Sequence, residues 1–224
     1  IIVYLLYFVP NYESSFSGSF FMSQSFSLIK ALVLIFTLMS LLIYSDLMKI
    51  SNNPIKIEFS TLLLLSTVGI FVSISAQDFI VLFCGLELQA LSGYALAAFN
   101  EKKISSSEAG LKYFVLGALM SGLMLLGISF LYGFSGSIKF MDIKLALTAE
   151  HNIGLVVGVV LIFSTILFKL SAAPLHFWTP DVYEGSPISS VTYFSVAQKV
   201  GMLVVFFNIV SDVIGDYKQI STNL

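Results

Sequence analysis

Three ionisable side chains fall near the middle of apolar stretches of this chain. They are Glu87 in FCGLELQALSGY, Lys169 at the end of a long apolar run, and Lys199 in SVAQKVGM. A charged residue at mid-bilayer depth costs about 2.5–3.5 kcal/mol on insertion scales, so three inert ones would be a heavy burden. Their types suit proton exchange. An ammonium out of water holds its proton less firmly, and a nearby carboxylate reverses that. Moving the Glu87 charge relative to Lys169 would load or unload the lysine, and Lys199 could take the proton on through intervening water. His176 lies seven residues after Lys169, two helical turns, and shares its face if the helix continues past Pro174. The bland alternative is a static ion pair between Glu87 and one lysine.

The stretch FKLSAAPLHFWTPDVYEGSP, residues 168–187, interrupts the apolar run that carries Lys169. Pro174 has no N–H, so the sequence predicts that the carbonyl of Leu170 loses its helical partner. Ser171, Ala172 and Ala173 leave room for water there. Non-helical backbone at membrane depth is tolerated where it lines a cavity. Pro180 and Pro187 bracket DVYEG, which reads as a surface connection.

A bilayer core of about 30 Å takes roughly 20 apolar residues in helix. Spans are expected at 26–45, 59–76, 79–99, 108–133, 152–181 with its interruption, and 188–210. The apolar opening, residues 1–9, reads as the end of a further span. Residues 11–25, 46–58, 100–107 and 134–151 read as polar loops, with a turn at Asn52–Pro54. Ser105 with Glu108 has the spacing of a capping box. Lys30 lies near a span end, where it can snorkel to the surface. Lys112 is likewise close to an end, with Glu108 as its i,i+4 partner. Asp78 reads as interfacial, stabilised by a helix N-terminus. The small residues Gly117, Ser121, Gly122, Gly127, Gly154 and Gly158 read as helix packing rather than a dimer face. Lysines in 46–58 and 100–108 place those loops on the inner side.

Composition sets the class. The 224 residues are 57% hydrophobic and 11% charged, with mean hydropathy +0.95. A soluble domain carries about 25% charged residues, so this chain cannot cover a soluble surface. All eleven basic residues are lysine, which removes the guanidinium fork and points away from nucleic acid. One Cys and two His cannot hold an iron–sulfur cluster, and no zinc or other metal site is suggested. Cys84 reads as a small core residue. Electron chemistry is expected elsewhere.

Together these residues resemble a known family. FKLSAAPLHFWTPDVYEGSP followed by SVAQKVG, KYFVLGALMSGLMLLGISFLYGFSG at 112–136, and GLELQALSGYALAAF at 85–99 occur in the order seen in the N-subunit family of proton-pumping NADH:quinone oxidoreductase, respiratory complex I. The resemblance covers about residues 59–210. It implies an all-α polytopic membrane protein, an antiporter-like helix bundle with a discontinuous helix. The family fold has about fourteen helices with two inverted five-helix repeats. Residues 1–58 would hold the end of one transmembrane helix, a loop and a second helix. Residues 59–210 would be the first five-helix repeat only, and 211–224 a truncated polar tail. The second repeat is missing, as in a fragment or a split gene product. By motif, Glu87 corresponds to the family's helix-five glutamate and Lys112 to its helix-six lysine. Lys169 matches the lysine at the helix-seven break and Lys199 the helix-eight lysine. His176 lies within the motif. Gln198 stands where the family often has proline.

The implied activity is proton translocation coupled to electron transfer from NADH to quinone. This chain would be a membrane-arm part of that enzyme, with no cofactor of its own. NADH, FMN, iron–sulfur clusters and quinone would belong to partner subunits, and its neighbours would be other membrane subunits and the lipid bilayer. Two competing readings are a subunit of a multi-subunit cation/proton antiporter and a non-conducting membrane-arm scaffold. The Lys-only, Ile- and Phe-rich composition points to an AT-rich genome and a bacterial plasma membrane, with the mitochondrial inner membrane as the alternative.

Overall fold

The structure, a computed structural model, describes residues 12–51, 54–100, 102–149 and 152–215. The expected span end at 1–9, the Asn52–Asn53 part of the turn, and residues 216–224 of the tail lie outside the described residues. Among these, six helices are long and apolar enough to cross a membrane. They form an antiporter-like helical bundle at the positions expected. Strands β1 (Tyr12–Ser15) and β2 (Phe20–Ser23) precede α1 (Gln24–Ile50), α2 (Ile57–Ser75), α3 (Phe79–Ala97) and α4 (Ile104–Ser135). Then come a short α5 (Phe140–Ala149), α6 (Ile153–Leu170), a short α7 (Thr179–Gly185) and α8 (Ile188–Ile214).

The helix ends follow from local chemistry. Ser23 caps α1 by accepting from the Phe26 N–H, and Asn152 caps α6 by accepting from the Gly154 N–H. Asp78 caps α3 through the Val81 N–H at 2.7 Å, the helix N-terminus role expected of it. It is buried at the start of that span. The Ser105–Glu108 capping box does not form. The helix starts at Ile104, and Ser106 instead donates to the Ala97 carbonyl, tying α4 to the end of α3. α4 ends at Gly136, whose φ of 73° suits a residue without Cβ.

Two of the expected loops are ordered elements. Residues 12–23 form an antiparallel hairpin, and Phe20 bridges to Ala76 at the α2–α3 turn. The same turn pairs on its other side, Asp78 with Lys139. The turn's backbone groups are therefore satisfied without a longer helix. The polar stretch 134–151 contains α5, which buries Phe140, Ile143 and Leu147, spaced as one helix face. Cys84, expected in the core, is exposed on α3.

α2 and α3 meet backbone to backbone. A Cβ on Gly69 would lie 2.5 Å from the Gln89 nitrogen, and one on Gly85 2.9 Å from the Gly69 carbonyl oxygen. Gly127 and Gly158 do the same for α4 and α6, each 2.9 Å from the other's carbonyl oxygen. The small residues at these positions serve packing within the chain.

The apolar core falls into two clusters. One is built around Phe59, Tyr94, Tyr113, Trp178 and Phe194, the other around Phe79, Leu86, Met124, Ile166 and Met202. Their boundary passes between Leu86 and Ala90 on α3, Met120 and Met124 on α4, and Ala197 and Met202 on α8. Glu87, Ser121 and Lys199 sit on that seam.

Candidate functional site

The structure brings Glu87, Lys169 and Lys199 together. Lys169 is the penultimate residue of α6, and its ammonium lies 3.9 Å from the Glu87 carboxylate. That is Coulombic contact but beyond a hydrogen bond. The same ammonium donates to the Leu86 carbonyl at 3.3 Å. Glu87 in turn accepts a hydrogen bond from the Ser121 hydroxyl on α4. The side chains of Lys169 and Glu87 are 11% and 24% exposed. They are secluded, and the carboxylate has a second partner besides the lysine.

Lys199 approaches from α8. Its ammonium donates to the main-chain carbonyl of Lys169 at 2.9 Å and to the Ser171 hydroxyl at 2.5 Å, and lies 5.2 Å above the Trp178 ring. A cation is favoured here because unsatisfied carbonyls give a helix C-terminus a partial negative charge. The face of an indole adds to that. Immediately before Lys199 the helix passes through a π-helical turn, Phe194–Gln198. One extra residue in a turn rotates the rest of the helix by about 100°, so the turn decides the direction in which Lys199 projects.

The interruption differs in mechanism from the sequence reading. Helix α6 stops at Leu170, before Pro174 is reached, because Ser171 adopts a left-handed conformation with φ of 59°. The Leu167 carbonyl then accepts from the Ala172 N–H, and the Phe168 carbonyl from the Ser171 N–H and the Trp178 indole N–H. The carbonyl put to use by the break is that of Lys169, held by Lys199, rather than that of Leu170. The segment DVYEG is helical within α7 and buries Val182.

That ending separates His176 from Lys169. With no helix continuing between them, the seven-residue spacing no longer places them on one face. His176 is exposed, and among the described residues its ring has no hydrogen-bond partner. Lys112 also stands apart. It pairs with Glu108 at 2.8 Å, as its spacing predicted, and with Asp181 of α7 at 2.7 Å. It lies nine residues before Ser121 on α4, about 13 Å of helical rise. At 44% exposure it is a bridge between α4 and α7 near the end of the bundle.

Sequence reasoning took Ser121 for packing and Ser171 for a small residue leaving room for water, and so missed both as hydrogen-bond partners of the charged side chains. It missed Gln89 and Gln198 as well. Both are buried, and Gln89 Oε1 and Gln198 Nε2 have no hydrogen-bond partner among the described residues. Buried polar atoms of this kind make the region hospitable to water. Among the described residues no group of three His, Cys, Asp or Glu side chains could hold a metal ion.

Lys30 overturns an expectation. It does not snorkel: it is 6% exposed, donates to the Ser75 hydroxyl at the end of α2, and lies 5.9 Å over the Phe71 ring. The C-terminus of α2 favours a cation by about 0.3–1 kcal/mol, up to about 2.

Comparisons with known proteins identify the family. Residues 76–223 match the family model described as NADH:quinone oxidoreductase/Mrp antiporter, transmembrane. NADH-quinone oxidoreductase subunit N from Rickettsia bellii (strain RML369-C) is 58% identical over 197 residues, 87% of this chain and 43% of the relative. The subunit of the same name from Rickettsia felis (strain ATCC VR-1525 / URRWXCal2) is 52% identical over 224 residues, 99% of this chain and 49% of the relative. The chain thus spans about half the length of the curated relatives it matches. Among solved structures, a chain of respiratory complex I from Thermus thermophilus with bound aureothin superposes with a TM-score of 0.74 at 27% identity. The match covers 92% of this chain and 44% of that one. A chain of the Mrp complex from Dietzia sp. DQ12-45-1b shares the fold, with a TM-score of 0.72 at 16% identity over 87% of this chain and 36% of that one. On its sequence and its fold, the chain belongs to the NADH:quinone oxidoreductase/Mrp antiporter transmembrane family.

Proposed function

We propose that this chain is part of an N-type membrane-arm subunit of a proton-translocating NADH:quinone oxidoreductase, and that Glu87, Lys169 and Lys199 exchange protons within it. The observation that carries this reading is the cluster itself. One carboxylate and two lysines from three helices meet at the seam of the core, and the carboxylate is not locked to either lysine. A carboxylate at 3.9 Å from Lys169 can strengthen or relax its hold through a small shift, because Ser121 offers it an alternative partner. Lys199, on the far side of the Lys169 carbonyl, is placed to accept a proton through water. Residues 59–210 act as the five-helix unit. Lys112, which the family motif places among the relay residues, serves as an ion bridge from α4 to Asp181 of α7. His176 has its place in the motif but no contact with the cluster.

The names of the relatives support the pairing with an NADH-driven complex. The likeness to the ion-gradient antiporter is one of fold. In this reading NADH, FMN, iron–sulfur clusters and quinone belong to partner subunits, the immediate neighbours are other membrane subunits and lipid, and the membrane is a bacterial plasma membrane. The test is to make Glu87→Ala and Lys169→Ala in the full-length protein and measure proton translocation in membrane vesicles driven by NADH. Loss of translocation with normal assembly is expected. Unchanged translocation by an assembled complex would leave the chain a scaffold. Sodium/proton exchange persisting without NADH-oxidising partners would favour the antiporter.

A further inference from the structure

We propose that Lys30 is an additional proton-exchanging group, placed between the central cluster and the hairpin end of the bundle. This rests on the reading of Glu87, Lys169 and Lys199 as proton carriers. Lys30 lies six residues into α1, about 9 Å of helical rise from its start. A lysine stem at that depth is suited to reach the surface and carry its charge into water. Here it turns inward, to the last residue of α2.

Its partners are neutral. They are the Ser75 hydroxyl and the face of Phe71, and among the described residues no carboxylate on α2, α8 or β2 pairs with it. A carboxylate would fix the lysine in its charged form. A hydroxyl both donates and accepts, so the pair keeps one hydrogen bond whether the lysine is an ammonium donating to Ser75 or an amine accepting from it. The exchange needs only water. One N–H bond of the ammonium breaks, the proton passes to a water molecule, and the amine lone pair accepts a hydrogen bond from the Ser75 hydroxyl; the reverse reloads it.

The position connects two regions. Ser75 comes directly after Ile74, whose carbonyl accepts from the Asn208 side chain at 3.3 Å. Asn208 lies on α8 nine residues after Lys199, about 13 Å along the helix. On the other side, Ala76 and Gln77 pair with Phe20 and Ser19 of the hairpin. Lys30 therefore lies under the hairpin, at the end of the bundle opposite the Lys112–Asp181 bridge.

The experiment uses the full-length protein in its assembled complex, in NADH-energised vesicles, and reads protons translocated per NADH oxidised. Lys30→Met is expected to lower that ratio severalfold. Lys30→Arg, charged but unable to release its proton, is expected not to restore it. Normal translocation by Lys30→Met overturns the proposal, and so does full rescue by Lys30→Arg, which would make Lys30 a fixed charge. If Lys30→Met does not assemble, Ser75→Ala carries the test: it is expected to lower the ratio, and an unchanged ratio overturns the proposal. Lys169→Ala is measured alongside. Normal translocation in that variant removes the reading of the whole cluster. A failing Lys169→Ala beside a normal Lys30→Met removes Lys30 alone.

Discussion

The ammonium of Lys199 is bound by the main-chain carbonyl of Lys169, at 2.9 Å. The two lysines are thus joined through the end of helix α6 rather than side chain to side chain. Like charges facing each other across a low-dielectric interior repel strongly. Here the Lys199 ammonium meets the partial negative charge of the helix terminus, through the Lys169 carbonyl.

Lys199→Met removes the cation from that terminus and leaves the Lys169 carbonyl and Ser171 hydroxyl without their partner. If Lys199 receives protons, translocation should fall on the order of a hundredfold, the lower edge of what positioned proton-transfer groups contribute. Vesicle proton uptake normalised to assembled complex measures it.

Ser171 does two things that substitutions separate. Its left-handed φ of 59° is unfavourable for a residue with a Cβ, at about 1–2 kcal/mol, and its hydroxyl accepts from Lys199. Ser171→Gly should lose the hydrogen bond while relieving the backbone, and Ser171→Ala should lose it without relief. Both are expected to impair translocation alike, with Ser171→Gly the more thermally stable of the two in detergent.

The Ser121 hydroxyl offers Glu87 a partner other than Lys169. A hydrogen bond to a charged group contributes about 1.5–3 kcal/mol, so Ser121→Ala should drive the carboxylate toward Lys169. The expected result is slowed translocation, milder than in Glu87→Gln. The double variant should be no worse than Glu87→Gln alone, because the two residues act through one bond. Additive losses would separate their roles.

Gly69→Ala tests the α2–α3 contact. The new Cβ meets the Gln89 nitrogen at 2.5 Å and the Gly85 carbonyl at 2.7 Å, both backbone atoms that no rotamer change can move. Overpacking of this kind costs about 1–3 kcal/mol, occasionally more. Reduced amounts of the protein in membranes are expected, measured by immunoblot against Gly122→Ala, where a Cβ meets nothing within 4 Å.

Glu87, Lys169 and Lys199 were legible because a charge inside an apolar run stands out against its neighbours. The six spans were legible for the same reason, since length and hydropathy suffice to define them. Direction around a helix was not. Lys30 near a span end reads the same whether it turns to water or to Ser75, and only the packing of α1 against α2 decides. The break was located correctly and explained wrongly. Proline is a visible signal, whereas a serine entering the left-handed region depends on the Trp178 and Lys199 contacts that reward it. The hairpin and α5 were lost among polar residues because each is held by pairing to the α2–α3 turn or by a narrow buried face, which composition does not report. The resemblance drew Lys112 toward the cluster and the seven-residue spacing drew His176, and in the structure neither touches it.

The seam between the two apolar clusters has an electrical consequence. A full charge crossing the membrane does work of about 2.3 kcal/mol per 100 mV. Glu87 and Lys199 lie near the mid-lengths of α3 and α8, and Lys169 meets them at the end of α6, with the two apolar clusters on either side. A proton passing among them travels mainly sideways and senses little of that voltage. The voltage acts instead on the legs that lead in and out through the apolar layers.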